Sequence, residues 1–452
     1  MTNSAKGPRG FSLVVIALLF LALPLALFWR GGFFFIEDDW AILSQIVGYP
    51  FWQYLATPDG EVWMPLSRAV YYGLVSVFGD RYTILLLINC LAGGVLAFLF
   101  HLFLKRHFPP VTALVLGLIY GGAAVQTSLN QVAFYNNALL CYIFFLLALL
   151  LTDNYLRSSS RAALAGIGGC AFLSLVSWNF TLMAVWALPL YIAILGGREK
   201  TRQCLAVGLV VGLAFLIFAL GYFTFAGFSA AASHNRGIVG SLPGPAYFLH
   251  WFFGACLFPF FYLFWGHYHF PIWAYVLGGG VLALSLALIW GWGDVREKRL
   301  GMWALVLNAS PFVLVSLARY QRAVTQAAAP RYAVFTLMGA LLLVGTAWGI
   351  MKRGMSPGLT ARLLPLGVLA MMVGGQLLGL PHWYRLYGKT SRGAQEFYQH
   401  LDAAGSLTEE SAGELIPPQN WYPERLRLTV GQAVRIKGFL SRKSATNRQQ
   451  GS

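Results

Sequence analysis

The sequence predicts an all-α polytopic membrane protein: about 11 membrane helices, interfacial helices in the first outer loop, and a small polar C-terminal tail. Three observations carry this. Apolar runs of roughly 17–25 residues, the length that crosses a bilayer, recur along most of the 452-residue chain. The composition is 58% hydrophobic and 11% charged, where a soluble domain is about a quarter charged. Basic residues gather in short connections between the runs, on the side that the positive-inside rule assigns to the cytoplasm.

The apolar runs predict helices at 11–29, 82–104, 111–127, 136–152, 162–177, 180–196, 204–222, 271–291, 301–317, 333–350 and 363–380. Lys6 and Arg9 precede the first run and place the N-terminus in the cytoplasm. That run is too long for a signal-peptide core and ends in Phe28-Trp29-Arg30 rather than small residues, so it reads as an uncleaved helix. Lys105/Arg106, Arg157/Arg161, Arg198/Lys200/Arg202, Arg296/Lys298/Arg299 and Lys352/Arg353/Arg362 then fall inside. Loops 30–81, 128–135, 223–270 and 318–332, and the tail, fall outside.

Two stretches need a separate reading. Residues 246–265 are apolar enough to span, but spanning would put Arg296, Lys298 and Arg299 outside. Pro259 interrupts the stretch, and Trp251, Tyr262, Trp265 and Tyr268 suit the headgroup layer, so a re-entrant or interfacial segment is expected. In loop 30–81, segments 39–55 and 65–79 have the pattern of amphipathic helices lying on the membrane, the second opening with Pro65. Residues 1–380 thus form the membrane module and 381–452 a polar outer tail, with a helix expected at 391–403, a strand at 425–439 and a disordered end.

The composition also excludes functions. The formal net charge of +16 sits largely in membrane connections and the tail, and no basic, aromatic-interleaved module suits nucleic acid. The five cysteines lie in or beside apolar runs without CxxC spacing, so neither a disulfide framework nor a metal framework is expected. No nucleotide-binding motif is present, which argues against ATP or nucleotide-sugar chemistry at the cytoplasmic face.

The chemistry-bearing feature is Glu37-Asp38-Asp39-Trp40, at the exit of the first helix. The chain has 16 acidic residues against 32 Lys and Arg. Of the acids before Pro381, Glu37, Asp38, Asp39, Asp59, Glu61 and Asp80 share loop 30–81, while Asp153, Glu199, Asp294 and Glu297 sit among basic residues. Adjacent carboxylates raise one another's pKa, which suits a general base or a divalent-metal ligand. An ordinary solvated turn would explain a lone acidic pair. The scarcity of acid elsewhere favours a site. Arg68 follows Trp63-Met64-Pro65-Leu66-Ser67, and Arg81 lies in Gly79-Asp80-Arg81-Tyr82; both guanidiniums suit phosphate or lipid headgroups. Arg319, Arg322 and Arg331-Tyr332 crowd an outer loop against the positive-inside bias, which argues for an anionic partner. Gln126, Asn130, Gln131, Asn136 and Asn137 form a polar outer rim suited to a sugar or to water. His267 and His269 have metal-like spacing but no carboxylate or Cys beside them.

In order and spacing, Ile36-Glu37-Asp38-Asp39-Trp40, Trp63-Met64-Pro65-Leu66-Ser67-Arg68 and Phe78-Gly79-Asp80-Arg81-Tyr82 resemble GT-C fold glycosyltransferases, and the later Pro330-Arg331-Tyr332 resembles them loosely. Closest in pattern are bacterial protein O-mannosyltransferases and aminoarabinose transferases. Met64 stands where many relatives carry Arg, and Ser177-Trp178-Asn179 lacks the charges of a Ser-Lys-Glu signature. The resemblance implies a bacterial inner-membrane enzyme. It would transfer a sugar, with inversion, from a polyprenyl-phosphate carrier to a hydroxyl of a glycan, lipid or protein at the periplasmic face. It implies that one carboxylate, Asp38 or Asp39, is the base or a metal ligand, with Asp38 preferred and Asp39 supporting it, and that Arg68, Arg319 and Arg331 are phosphate contacts. Glu37, Trp40, Trp63, Arg81, Arg322 and Tyr332 complete the implied substrate site. A divalent cation (Mg or Mn) held by Asp38 and Asp39, or the arginines, would stabilise the departing phosphate. The competing expectations are a transporter or flippase for a lipid-linked sugar and a non-catalytic membrane scaffold.

Overall fold

The computed structural model describes residues 9–28, 38–58, 62–129, 132–240, 273–319, 330–354 and 370–381, with short stretches within 252–261 and 384–395 and at 435–441. All regular elements among them are helices. The first, α1 (Arg9–Phe28), is followed by the short α2 (Asp38–Gly48), α3 (Phe51–Ala56) and α4 (Pro65–Phe78). Then come α5 (Tyr82–Leu104), α6 (Pro110–Gly121), α7 (Ala124–Leu129), α8 (Asn136–Ser158) and α9 (Arg161–Ser177). The second half holds α10 (Leu182–Trp186), α11 (Leu188–Gly196), α12 (Thr201–Gly240) and α13 (Phe252–Phe261). It continues with α14 (Trp273–Trp292), α15 (Val295–Arg319), α16 (Pro330–Gly354) and α17 (Ala370–Pro381).

Among the described residues, six segments are long and apolar enough to cross a bilayer: Tyr82–Leu104, Ala133–Ser158, Asn179–Gly196, Arg198–Phe225, Tyr275–Trp292 and Tyr332–Gly354. Shorter apolar helices accompany them at Val14–Ala26, Pro110–Gly121, Arg161–Ser177 and Ala370–Pro381. The chain is a multi-pass membrane protein. Burial sorts the helices into layers. The apolar windows of α8 and α16 are 72% and 78% buried, so these two form the centre of the bundle. Those of α12 and α14 are only 22% and 17% buried. On α12, Leu205, Leu209, Leu213, Leu216 and Leu220 recur at helical spacing and are all exposed, as a lipid-facing stripe requires.

The bundle closes tightly where glycine permits it. A β-carbon on Gly94 of α5 would lie 2.8 Å from the carbonyl oxygen of Phe20, so only glycine lets α1 approach this closely. Several helix ends are tied by charge. Asp153, at the end of α8, is nearly fully buried and pairs with Arg106 at 2.6 Å and Arg157 at 3.0 Å. Tyr191 of α11 donates to its other oxygen at 2.8 Å. Asp294 and Glu297 cap α15 reciprocally, each side chain accepting the other's backbone N–H (2.8 and 2.9 Å), and Arg353 of α16 reaches Glu297 at 2.6 Å.

Several expected boundaries move. The run 111–127 breaks at Gly122-Ala123 into α6 and α7. The run 180–196 breaks at Ala187, because Pro189 fits only the first turn of a new helix. The helix expected to end at 222 continues to Gly240, displacing the start of the expected outer loop at 223–270. Its added segment is rich in Ala and free of Pro, and at 1.5 Å per residue α12 is about 60 Å long, roughly twice the hydrocarbon thickness. In the tail, 435–441 is helical, which overturns the strand expected over 435–439. Apolar residues at 436, 439 and 440 follow helical spacing, with Ile436 and Leu440 fully buried. The rest of that expected strand, and most of 391–403, lie outside the described residues.

Candidate functional site

The acidic run opens α2. Asp38 and Asp39 occupy its first turn, where the helix dipole and free backbone N–H groups favour negative charge. Asp39 is fully buried. Its Oδ1 accepts the N–H of Phe134 at 2.7 Å and the hydroxyl of Tyr71 at 3.2 Å. Its Oδ2 accepts the hydroxyl of Tyr82 at 3.0 Å and the N–H of Ala133 at 3.3 Å. One carboxylate thus joins α2 to α4, to the first residue of α5, and to the turn that starts α8. The four donors match the roughly four lone-pair sites of a carboxylate. Burial, and then the neighbouring Asp39, hold the Tyr71 phenol well above its ordinary value, so it stays a proton donor here.

The turn that meets Asp39 is fixed from its other side. Asn89 of α5 donates from Nδ2 to the carbonyls of Val132 (2.9 Å) and Ala133 (3.1 Å). Ser67 of α4 donates to the Ser177 carbonyl at the end of α9 at 2.8 Å. Asn137 of α8 reaches the Met64 sulfur at 3.4 Å. Gly79 ends α4 at φ +59°, a conformation L-residues seldom adopt, and turns the chain into α5.

The other predicted residues divide into groups. Trp63 is buried beside α12, its ring 5.8 Å from Phe218 and 6.1 Å, stacked, from Phe225. Gly221 makes room for it, since a β-carbon there would lie 2.7 Å from the indole. Arg68 is fully buried rather than facing solvent. Its Nη1 donates to the Tyr54 carbonyl at 2.6 Å and its guanidinium lies 4.9 Å from the centre of the Tyr54 ring. Arg81 is exposed at the start of α5. Tyr332 is buried in an aromatic cluster, stacked on Trp178 at 5.6 Å and tilted against Phe180 at 4.9 Å. The start of α16 is thereby brought to the turn after α9, two stretches that the sequence had only noted separately. Arg319 ends α15 and Arg331 lies in the first turn of α16. Glu37, Asp59, Glu61, Arg322, His267 and His269, and the side chains of Asp38, Trp40, Arg319 and Arg331, lie outside the described residues.

Among the described residues, no three His, Cys, Asp or Glu side chains converge as a metal site would need. Asp39, one of the two expected metal ligands, already has both oxygens accepting protein donors. The residues that sequence reasoning did not single out are Tyr71, Tyr82, Asn89 and the backbone amides of 133–134. A backbone amide has no sequence signature. Tyr82 stood in a quoted stretch and Asn89 in the following helix, but nothing marked them as partners of Asp39.

Neither a family model nor a curated protein sequence matches the chain. Solved structures do. ArnT from Cupriavidus metallidurans bound to undecaprenyl phosphate aligns over 98% of this chain and 89% of its own, with TM-score 0.52 and 14% identity. The Archaeoglobus fulgidus oligosaccharyltransferase, tethered to an acceptor peptide containing the NVT sequon, aligns over 89% of this chain, with TM-score 0.52 and 12% identity. The chain spans only 58% of that longer protein. The chain has the GT-C fold. At these identities the likeness is one of architecture, and it extends over nearly the whole length.

Proposed function

We propose that the chain is a membrane glycosyltransferase that moves a sugar from a polyprenyl-phosphate carrier to an acceptor hydroxyl, with inversion, at the periplasmic face of a bacterial cytoplasmic membrane. The observation that carries the reading is the buried Asp39, fastened by Tyr71, Tyr82, Ala133 and Phe134 in a fold shared with a protein bound to undecaprenyl phosphate. A polypeptide gives four hydrogen bonds to one buried carboxylate where a particular geometry must hold. Here that geometry fixes the first turn of α2, and so the backbone of its neighbour Asp38.

In this reading the two aspartates differ. Asp39 is the positioning residue, because its lone pairs are occupied. Asp38 is the base. The acceptor oxygen attacks the anomeric carbon as Asp38 takes its proton. The bond from that carbon to the phosphate oxygen breaks, and the electron pair leaves with the polyprenyl phosphate. Arg81, Arg319, Arg322 and Arg331 are the arginines proposed to stabilise the leaving phosphate. The burial of Arg68 against Tyr54 favours a bracing role over the phosphate contact expected for it. The occupied donor set of Asp39 argues against its serving as a metal ligand, and no step in this scheme runs through a cation.

The test is transfer by the purified protein in detergent from undecaprenyl-phosphate-linked sugars to an envelope-glycan or lipid acceptor. Wild type is expected to give product, and Asp38→Asn to lose at least a thousandfold in rate while still binding undecaprenyl phosphate. A flippase or scaffold gives no product at all. Wild-type rates in Asp38→Asn would remove Asp38 as base.

A further inference from the structure

Two buried amides on the helices that flank the turn bonded to Asp39 have no hydrogen-bond partner among the described residues. Gln126 of α7 is 1% exposed and Asn136, the first residue of α8, is 4% exposed. Among the described residues, neither the oxygen nor the nitrogen of either side-chain amide has a hydrogen-bond partner. Their neighbours behave otherwise. Asn89 places its Nδ2 on two carbonyls, Asn137 bonds the Ala138 N–H and the Met64 sulfur, and Gln376 accepts from Ala124 N–H. Burying four polar atoms without partners costs stability. A fold that retains them on the two helices flanking the turn that holds Asp39 keeps them for a ligand.

Their chemistry narrows the ligand. An amide offers a donor and an acceptor side by side, which matches a hydroxyl, itself both donor and acceptor. A phosphate offers acceptors only and would leave both amide oxygens unmet. Both residues also belong to the segment fastened to Asp39: Asn136 follows Phe134 by two positions, and α7 leads into the same turn and packs on α8. We infer that Gln126 and Asn136 form the subsite that recognises the hydroxyls of the transferred sugar, distinct from the arginines that hold its phosphate. The inference rests on the glycosyltransferase reading and names the part of that site that selects the sugar.

The experiment measures binding of bare undecaprenyl phosphate and of undecaprenyl-phosphate-linked glucose, mannose and aminoarabinose to the full-length protein in detergent. Wild type is expected to bind at least one sugar-bearing lipid tenfold or more tighter than the bare lipid. Gln126→Met and Asn136→Leu, which roughly keep side-chain shape and remove the polar ends, are expected to erase that preference while bare-lipid affinity stays within twofold. Both variants should melt at or above the wild-type temperature without ligand, because an unpartnered buried amide is removed. Asn136→Ala and Gln126→Ala, which remove the amide and add no bulk, check the case in which a larger apolar variant does not fold; they too should lose the preference. Retention of the preference in the folded variants overturns the inference. So does a wild type that binds bare and sugar-bearing lipids equally. A wild type that binds no polyprenyl phosphate overturns the glycosyltransferase reading itself.

Discussion

Asp39→Asn tests the anchor at the centre of the site, and its cost follows from the geometry. The amide retains one acceptor oxygen. With that oxygen at the Oδ1 position it still meets Phe134 N–H (2.7 Å) and the Tyr71 hydroxyl (3.2 Å). The new NH2 then faces the Tyr82 hydroxyl and the Ala133 N–H. A phenol can rotate and accept; a backbone N–H cannot. One buried donor is therefore orphaned, at about 1–3 kcal/mol. The two retained bonds lose their charge assistance, about 1 kcal/mol each, since bonds to an ionised acceptor are roughly twice as strong as neutral ones. The sum is about 3–5 kcal/mol. Equilibrium unfolding in mixed dodecyl maltoside and SDS micelles measures it, with Asp38→Asn as the control that should change stability little. Transfer by Asp39→Asn should fall at least tenfold, with bare undecaprenyl phosphate still bound, because the first turn of α2 is no longer fixed. An unfolding difference below about 1 kcal/mol would refute the four-donor anchor.

Further perturbations address the rest of the fold. Asp153→Asn removes the partner of a partly buried Arg106 and of Tyr191 near the end of α8. It should cost about 3–5 kcal/mol in the same unfolding assay, as for other broken buried pairs. His107, in the turn after α5, is pulled down from 6.5 to about 4, by burial first and then by Arg296, Arg157 and Arg106, against the opposing pull of Asp153. The unfolded chain therefore takes up a proton that the folded one refuses. Stability is full above pH 6.5 and falls as pH drops toward 4, by at most about 3 kcal/mol at 1.36 kcal/mol per pKa unit; unfolding midpoints at pH 7.5 and 4.5 should show this, and His107→Gln should flatten it. Gly94→Val drives a side chain into the Phe20 carbonyl at the α1–α5 crossing and should destabilise by about 1–3 kcal/mol.

Much of the architecture is legible in the chain because hydropathy is a local signal. Helix α5 falls at 82–104 as expected, and α1, α9, α14 and α16 differ from their expected bounds by a few residues. The boundaries that moved are those set by longer-range partners or by a single backbone break. Asp153 and Arg157 remain helical beyond 152, where Arg106 and Tyr191 reach Asp153 from other elements. Pro189 splits a run that composition alone shows as continuous.

The site divides in the same way. The sequence by itself determined where acid is available, since six carboxylates share the stretch 30–81 in a chain otherwise poor in them. It also supplied the resemblance to the GT-C fold that the solved structures bear out. It did not separate Asp38 from Asp39, because adjacent identical residues look alike to any local rule. Tertiary structure shows what one of them bonds, by bringing Tyr71, Tyr82, Ala133 and Phe134 from 32, 43, 94 and 95 positions away onto Asp39. Long-range packing also buried Arg68 against Tyr54 and left the amides of Gln126 and Asn136 without hydrogen-bond partners among the described residues. The physical reason is common to all of these. Whether a side chain crosses the bilayer is decided by its own segment, but what a polar group bonds is decided by whichever distant segment the fold lays beside it.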